Sequence, residues 1–502
     1  MTPAELGSSP GGLSGVLKRG VGYSAVGVVI CQVVVVAQTI ALGRLIGPAE
    51  VGVFTAGSVL LGGLLMVTHG TLAQALIQRE DDIEDAANTV LIATLATGLL
   101  LGTGVLAASP LIGELFHDER VGQITAVTSG LVFLYLCVSV PQALMQRAFQ
   151  FKQRVVIDPA AKIAFAVVSI VFALLDYGAW ALVIGSYASI MTELVLSWWF
   201  AKWRPFQGRF SFPLWREMAS FSLPLMFQGL AESIRDTFQQ VLVGRALGTA
   251  DLGQYRYGYR LAIMPAQANA EICGHVLFPA FARLAADRRR FGDAFLRALG
   301  WIWFGSLPIA ALLVVVGEPA AVLLLGEQWR PAGIAAMAMG GMGVGAALNS
   351  LGVQAIKAGG RPKLVNWVTV LGLVLNVGLI LLLLPYGLLG VGIALSITYL
   401  GVGVTSVLIA GSVAGVSLCE SVTCVAPYTV SALLAFVVVL PLERFVIRSE
   451  RFSEVLGLVS IVGDCLLFGA IYVVGLRLVA PARYRSVIGF VERAVRGGSS
   501  WA

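Results

Sequence analysis

The sequence predicts an all-α polytopic membrane protein, and three observations lead to that fold class. Hydrophobic residues make up 58% of the 502 residues and charged residues only 12%, whereas soluble domains have about 45–50% and about 25%. The mean hydropathy is +0.86, and 58 residues are glycine, which lets membrane helices pack closely. Fourteen apolar stretches can each cross a bilayer. A soluble enzyme, a disordered chain and a secreted disulfide scaffold are therefore excluded.

Each predicted span is a run of about 20 mostly apolar residues, the length that crosses the hydrocarbon core as a helix. The spans are 21–43, 51–76, 86–109, 122–144, 159–177, 179–200, 220–244, 252–281, 298–317, 331–353, 364–384, 388–411, 422–441 and 455–480. No connection between them exceeds about 20 residues, which leaves no room for a soluble catalytic domain on either side. The six cysteines lie in or beside apolar runs without a CxxC pair, so we interpret them as small buried apolar residues.

The orientation follows from the lysines and arginines of the short loops, because these residues accumulate on the cytoplasmic side. With the N-terminus inside, the inner loops through span twelve hold nineteen of them, and the outer loops hold four. The four outer residues are Arg44, Arg120, Arg245 and Arg330. The bias predicts a cytoplasmic N-terminus. The basic tail after span fourteen predicts that the C-terminus is cytoplasmic as well.

An internal repeat relates two parts of the chain. Gly43–Gly52 recurs as Gly244–Gly253 with an offset of 201 residues, and Leu174–Gly178 recurs as Leu383–Gly387 with an offset of 209. Each half holds six spans, an even number, so both halves share one orientation, as in transporters with parallel repeats. We therefore predict five segments. They are a tail (1–20), a six-helix lobe (21–205), a second six-helix lobe (220–411), two additional helices (422–480) and a basic tail (481–502).

Spans seven and eight carry most of the ionisable side chains within predicted spans, and with nearby glutamines each set follows one helical face. In span seven the set is Gln228, Glu232, Arg235, Asp236 and Gln239. In span eight the set is Arg256, Arg260, Gln267, Glu271 and His275. An ionisable group in a span costs about 2.5–3.5 kcal/mol by insertion scales, so it needs a partner or a water-filled cavity.

Two interpretations of these groups stay open. Three carboxylates (Glu232, Asp236 and Glu271) balance three arginines (Arg235, Arg256 and Arg260), which fits a structural ion-pair network. Alternatively, the groups line a substrate cavity, where an arginine released from its carboxylate can bind phosphate. Counting 1.5 Å per residue from the outer turn places Asp236 and Arg260 roughly 12–14 Å below the outer surface, so they can face each other. The first half has neutral residues at the equivalent positions, so function is concentrated in the second half.

Four turn motifs give the chain a resemblance to a known family. They are Gly43–Pro48 followed by Val51-Gly52, Leu325–Trp329, Gly359–Lys363 and Tyr386–Gly390. With them, residues 15–415 resemble the polysaccharide-flippase (Wzx-type) family of the multidrug/oligosaccharidyl-lipid/polysaccharide exporter superfamily. The resemblance implies two six-helix lobes around a central cavity and alternating access. It also implies movement of undecaprenyl-pyrophosphate-linked oligosaccharides from the inner to the outer leaflet.

The same resemblance implies where the substrate is held, because related flippases of lipid-linked sugars hold the pyrophosphate with arginines from the first two helices of each lobe. Only Arg235, Arg256 and Arg260 match that placement here, and the first lobe contributes none. The predicted substrate-binding residues are therefore Arg235, Arg256, Arg260, Gln239, Gln267 and His275. The predicted coupling or charge-pairing residues are Glu232, Asp236 and Glu271.

The predicted function is a lipid-linked oligosaccharide flippase or polysaccharide exporter of the bacterial cytoplasmic membrane, without enzyme activity, metal or cofactor. Its expected partners are the lipid-linked substrate, membrane lipids, and polymerases or glycosyltransferases of the same pathway, but no nucleic acid. One alternative is a cation-coupled multidrug antiporter of the same superfamily, which needs a membrane carboxylate with few competing arginines. A membrane glycosyltransferase or polymerase is a second alternative. It would need a substantial outer loop with catalytic groups, and the outer connections through span twelve are too short.

Overall fold

The computed structural model describes residues 12–68, 71–79, 81–148, 150–272, 277–485 and 489. Regular structure over these residues is helical, without strands. The α-helices are α1 Gly12–Leu45, α2 Pro48–Gly57, α3 Val59–Thr68, α4 Thr71–Gln78, α5 Ile83–Phe116, α6 Glu119–Arg147, α7 Phe151–Leu174, α8 Ala179–Ala201, α9 Phe212–Leu247, α10 Thr249–Ile272, α11 Phe278–Leu284, α12 Arg288–Leu325, α13 Arg330–Ala338, α14 Gly341–Ala358, α15 Lys363–Leu383, α16 Gly387–Ala414, α17 Leu418–Pro441 and α18 Glu454–Val479.

The predicted fold class is confirmed, because many of these helices can cross a membrane. Among the described residues, eight helical segments are long and apolar enough for a crossing, and two bent helix pairs also qualify. One of the eight, Lys363–Ala414, has 52 residues, but it consists of α15 and α16, which pack against each other. They reverse direction at Gly387, whose φ of 67° favours glycine. The total of fourteen spans stays a prediction.

Some predicted spans are interrupted. Span 51–76 consists of α2, α3 and α4 rather than one helix. The first break falls at Ser58, between α2 and α3. Span 331–353 bends by 41° between α13 and α14. There the Ser396 hydroxyl donates to the Ala338 carbonyl at 2.6 Å and accepts from the Gly341 amide at 3.1 Å, and a side chain inserted in this way produces a kink.

The helices α9 and α10 correspond to predicted spans seven and eight. Helix α9 is continuous over Phe212–Leu247, as the spacing of its polar residues requires. Helix α10 ends at Ile272, nine residues before the predicted end of span eight at residue 281. The segment 273–276 lies outside the described residues, and the short helix α11 begins at Phe278.

The chain divides into two compact units, residues 1–253 and 254–502. In the first unit, Leu131, Val132 and Ile190 belong to a buried apolar cluster that joins α6 and α8. In the second unit, Val315, Val439 and Phe468 belong to a cluster in which the last two helices, α17 and α18, pack on α12. The five segments predicted from the repeat stay a prediction. Outward-facing apolar side chains such as Leu100 and Trp199 are more than 70% exposed, as expected of a surface that meets lipid.

The repeated Gly-Arg turn has a structural reason within the first unit. A Cβ atom on Gly52 would collide with the Thr249 carbonyl oxygen, and a Cβ atom on Gly253 would collide with the Pro48 carbonyl oxygen. Both pairs are related by the offset of 201 residues, so the two contacts are copies of one another. Glycine is therefore required at both positions for the backbones of α2 and α10 to touch. The reciprocal contact is what a two-fold related repeat produces.

Candidate functional site

Helix α9 carries the predicted site residues of the first unit. Arg235 forms an ion pair with its neighbour Asp236, with Nε and Nη2 each 3.0 Å from Oδ1. Both side chains are about one-third exposed. The pair joins two consecutive residues of α9. The role predicted for these charged residues stays a prediction.

Helix α9 is held in place by close packing on α3. The Ser233 hydroxyl donates to the Gly63 carbonyl at 2.8 Å, and the Thr237 side chain lies against the same glycine. The predicted substrate-binding residue Gln239 is buried. The side chain of the predicted coupling residue Glu232 lies outside the part of α9 whose side chains the structure describes.

One face of α10 packs within the second unit. The Gln254 side chain donates to the Gln328 carbonyl at 2.6 Å and accepts from the Ala332 amide at 3.0 Å. Tyr257 stacks on the buried Trp329 with the ring centroids 4.1 Å apart. Gly258 allows close approach, because a Cβ atom there would meet the Ala332 carbonyl oxygen. These contacts fix the rotation of α10 about its own axis.

Arg256 and Arg260 lie on the opposite side of α10. Each is two residues away from Gly258, which is about 200° around a helix with 3.6 residues per turn. Arg256 is exposed and Arg260 is half-buried. Among the described side chains of residues 254–502, no carboxylate forms an ion pair with either guanidinium group. Two like charges one helical turn apart repel each other, so this face of α10 favours an anion.

The remaining predicted residues are only partly described. Helix α10 extends over Gln267 and Glu271, and their side chains lie outside the described set. His275 lies outside the described residues altogether. The described residues form no group of three or more His, Cys, Asp or Glu side chains that could hold a metal ion.

Two arginines elsewhere in the chain, Arg120 and Arg330, are in a different environment. Arg120 contacts Glu50 at 2.8 Å and Asp118 at 3.1 Å. Arg330 contacts Glu318, contacts Glu327 at 2.7 Å and contacts Glu450 at 2.8 Å. The hydrogen bonds from Arg330 lower the pKa of the Glu327 carboxyl, which lies in the turn before α13. Neighbouring carboxylates therefore neutralise both arginines.

A polar cavity of about 180 Å³ in the first unit was not predicted as a site. Its lining includes Tyr135, Ser139, Gln142 and Gln146, which follow one face of α6. Glu193 on α8 also lines it and accepts a 2.6 Å hydrogen bond from the Gln142 amide. The sequence contains a signal for this face, because polar residues recur there at steps of four, three and four within an apolar span.

Comparisons with known proteins agree with this fold. A family described as "Polysaccharide biosynthesis protein" matches residues 41–334. The succinoglycan biosynthesis transport protein ExoT of Rhizobium meliloti (strain 1021) is 27% identical over 290 residues, which cover 57% of this chain and 58% of that protein. The chain matches between 54% and 63% of the length of its curated relatives.

Solved structures with the same fold include two transporters. The lipid II flippase MurJ in an inward closed conformation matches with a TM-score of 0.72 and 13% identity, over 93% of this chain and 100% of that one. An inward-facing multidrug resistance transporter, a MATE family member of the MOP superfamily, matches with a TM-score of 0.60 and 17% identity, over 79% and 98%. At these identities the likeness establishes the fold, an all-helical polytopic transporter fold.

Proposed function

Because the chain belongs to the family of polysaccharide biosynthesis proteins, we propose that it is a flippase for a lipid-linked oligosaccharide. It moves a glycolipid of the undecaprenyl-pyrophosphate type from the inner to the outer leaflet by alternating access. The substrate leaves chemically unchanged, so the proposed activity is transport and not catalysis. The fold of known transporters and the transport function of a relative both support this proposal.

The observation that carries the proposal is the pair Arg256 and Arg260 on the face of α10 that the second unit does not use for packing. A diphosphate group is costly to move through a medium in which its charge is unpaired. A guanidinium group stays protonated and binds phosphate oxygens in a bidentate manner. Two such groups one turn apart, without a described carboxylate on them, can compensate a diphosphate.

Helix α9, in the first unit, carries a charged pair of its own. An anion that binds Arg235 would compete with Asp236 and could exchange with it for the guanidinium group. Such an exchange would link substrate binding to the protonation or cation binding of Asp236, and Glu232 and Glu271 are candidates for the same role. In a gradient-driven transport assay, Asp236→Asn or Glu232→Gln should then remove the dependence on the gradient. Unchanged dependence in both variants would assign these residues to structural ion pairs.

The proposal needs a defined orientation in the cytoplasmic membrane, with both termini inside. Cysteines introduced within 283–297 should resist an impermeant thiol reagent added from outside, and a cysteine at 117–119 should react. The opposite pattern would reverse the direction of the proposed transport.

A reconstituted assay tests the function directly. Proteoliposomes containing the purified protein and a fluorescent polyprenyl-pyrophosphate oligosaccharide should expose the sugar to an enzyme on the trans side, and an Arg256→Ala/Arg260→Ala variant should not. An Arg120→Ala variant serves as the control, because Arg120 is a cation neutralised by Glu50 and Asp118. Transport of a cationic dye without transport of the lipid would instead identify a multidrug antiporter.

A further inference from the structure

Two carboxyl groups are buried in the second unit. Glu443 lies in a single π-helical turn, Leu442–Ile447, which follows α17, and it is 5% exposed. Asp464 lies on α18 and is 1% exposed. Hydrogen bonds through the Ser449 hydroxyl connect Glu443 to Ser460 of α18, and Asp464 follows Ser460 by four residues on the same face of that helix. Neither residue belongs to the face of α10 that carries Arg256 and Arg260.

Glu443 has the partners of an ionised carboxylate. The Ser449 backbone amide donates to Oε1 at 3.0 Å, and the Ser449 hydroxyl donates to Oε2 at 2.9 Å. The Ser460 hydroxyl in turn donates to the Ser449 hydroxyl at 2.6 Å. The hydrogen bonds therefore run from Ser460 through Ser449 to Glu443. The turn after α17 makes them, because Arg448 adopts a left-handed conformation (φ 50°) that brings Ser449 back over Glu443.

Asp464 has none of these partners. Neither of its carboxyl oxygens accepts a hydrogen bond from any residue that the structure describes. It also lies on the inward stripe of α18 with Gly457, Phe468 and Tyr472, which packs against the rest of the second unit. An ionised carboxylate in such a place would be uncompensated and costly. A neutral Asp464, whose hydroxyl donates to the already ionised Glu443, satisfies both groups with one proton.

None of the described charged groups around Glu443 and Asp464 forms an ion pair with them. A shared proton is therefore the simplest way to compensate their negative charge. A cavity of about 240 Å³ borders Glu443 and is lined by Glu318 of α12 and by Arg444, Arg448 and Glu450 of the turn. Arg330 is bound to Glu318, Glu327 and Glu450. Among the described residues, no Arg, Lys or His side chain forms an ion pair with Glu443 or Asp464. The cavity gives Glu443, but not Asp464, a route to water.

We propose that Glu443 and Asp464 form a proton-binding site that exchanges one proton with the water of this cavity. On binding, the proton passes from hydronium through Glu443 to Asp464, which becomes a neutral carboxylic acid, and water is released. On release, both groups are carboxylates, and their repulsion loosens α18 from the turn after α17. The site thus makes the packing of the last two helices depend on the pH of the solution that enters the cavity. This inference does not rest on the proposed transport function.

Infrared spectroscopy of the purified, full-length protein tests the site. Wild-type protein at pH 7 should show the carbonyl band of a protonated carboxylic acid, which shifts in D₂O and disappears on raising the pH. Asp464→Asn should remove the band. Glu454→Gln should keep it, because Glu454 is an exposed carboxylate at the start of the same helix. If Asp464→Asn does not fold, labelling wild-type aspartate with ¹³C at the side-chain carboxyl should shift the band and identify it without a substitution.

Two results would overturn the inference. One is the absence of a protonated carboxyl band at pH 7, or a band that neither the substitution nor the aspartate label affects. The other is stabilisation of the wild-type protein by NaCl, but not by KCl at equal ionic strength, that Asp464→Asn abolishes. That result would show that the pair holds a sodium ion in place of a proton.

Discussion

Arginines occur in two environments in this molecule, and we propose that the difference distinguishes structural from substrate-binding arginines. Arg120 in the first unit contacts two carboxylates, and Arg330 in the second contacts three. Arg256 and Arg260 form an ion pair with no described carboxylate of residues 254–502. Arg120 and Arg330 lie in the first turn of a helix, whereas Arg256 and Arg260 lie within α10. We propose that an arginine marks a binding site where it lacks a carboxylate partner.

The comparison also assigns the cost of each arrangement. An arginine that forms ion pairs with nearby carboxylates stabilises a turn slightly. Few of its N–H donors then remain available to a ligand. Two arginines one turn apart on an open face repel each other and reduce stability slightly. This repulsion is tolerated where a bound anionic ligand neutralises the two charges. We therefore expect loss of transport when Arg256 or Arg260 is replaced, and loss of stability when Arg120 or Arg330 is replaced.

The largest effect is expected at Arg260. Arg260→Ala should lower transport at least tenfold, because a hydrogen bond to a charged group contributes about 1.5–3 kcal/mol and about 1.4 kcal/mol is a factor of ten. Arg260→Lys should retain part of the activity, since lysine keeps the charge and loses the bidentate geometry. The measurement is glycolipid transport normalised to the amount of folded protein in the membrane. Equal activity of wild type and Arg260→Ala would contradict the account.

A smaller effect of a different kind is expected at Arg330. Arg330→Ala should reduce the free energy of unfolding by about 1 kcal/mol, because the ion pairs reach solvent and each contributes little. Affinity for a pyrophosphate lipid, measured per folded molecule, should stay unchanged. Thermal unfolding in detergent, followed beside ligand binding, separates the two quantities. A weaker affinity with unchanged stability would place Arg330 in the binding site.

A third change places a carboxylate next to Arg260 on the face of α10 that carries Arg256 and Arg260. Ile263 lies three residues after Arg260, so Ile263→Glu would place a carboxylate within reach of that guanidinium. Affinity for the pyrophosphate lipid should fall about 1.4- to 2.3-fold, in line with about 0.2–0.5 kcal/mol for such a pair on a helix. Ile263→Gln has nearly the same shape without the charge and should bind like wild type. Identical affinities of the Glu and Gln variants would show that the charge on this face does not matter.

The smallest expected effect is the pH dependence of the stability that the ion pairs of Arg330 contribute. Its hydrogen bonds lower the pKa of Glu327 from the ordinary 4.5. A lowered pKa in the folded state contributes stability at pH values above 4.5, and this stability is lost as the pH falls through the lowered value. Wild-type protein should therefore lose slightly more stability than Glu327→Gln between pH 5 and pH 3. Parallel stability curves would rule out this contribution.

The sequence predicted the fold class because hydropathy and loop charge depend on composition, which needs no tertiary information. It also located the turns at Gly52 and Gly253, although the reason for them, a reciprocal backbone contact, is visible only in three dimensions. The break at Ser58 was missed, since it lies in a continuous apolar run. The kink near Gly341 was missed, because it depends on hydrogen bonds with Ser396 of another helix, α16. Periodicity cannot detect such bonds.

The assignment of the site residues stays a prediction, although the structure describes where several of them lie. The helical spacing of Arg256 and Arg260 placed them on one face, and the structure shows that this face is not the packing face of α10. The sequence offered no partner for Asp464, because the irregular turn that connects Glu443 through Ser449 to Ser460 of α18 follows no periodic pattern. The amide-rich face of α6 was overlooked because it carries no charge of its own.

The most direct measurement is binding of a polyprenyl pyrophosphate to purified protein at constant ionic strength, with the corresponding polyprenyl alcohol as the uncharged reference. The account predicts that Arg256→Ala/Arg260→Ala loses at least thirtyfold in affinity for the pyrophosphate, given about 1.5–3 kcal/mol for each charged contact. It predicts no change for the alcohol, and no change for Arg120→Ala with either lipid. Wild-type affinity of the double variant for the pyrophosphate, or an equal loss in Arg120→Ala, would contradict the claim that the open face of α10 holds the head group.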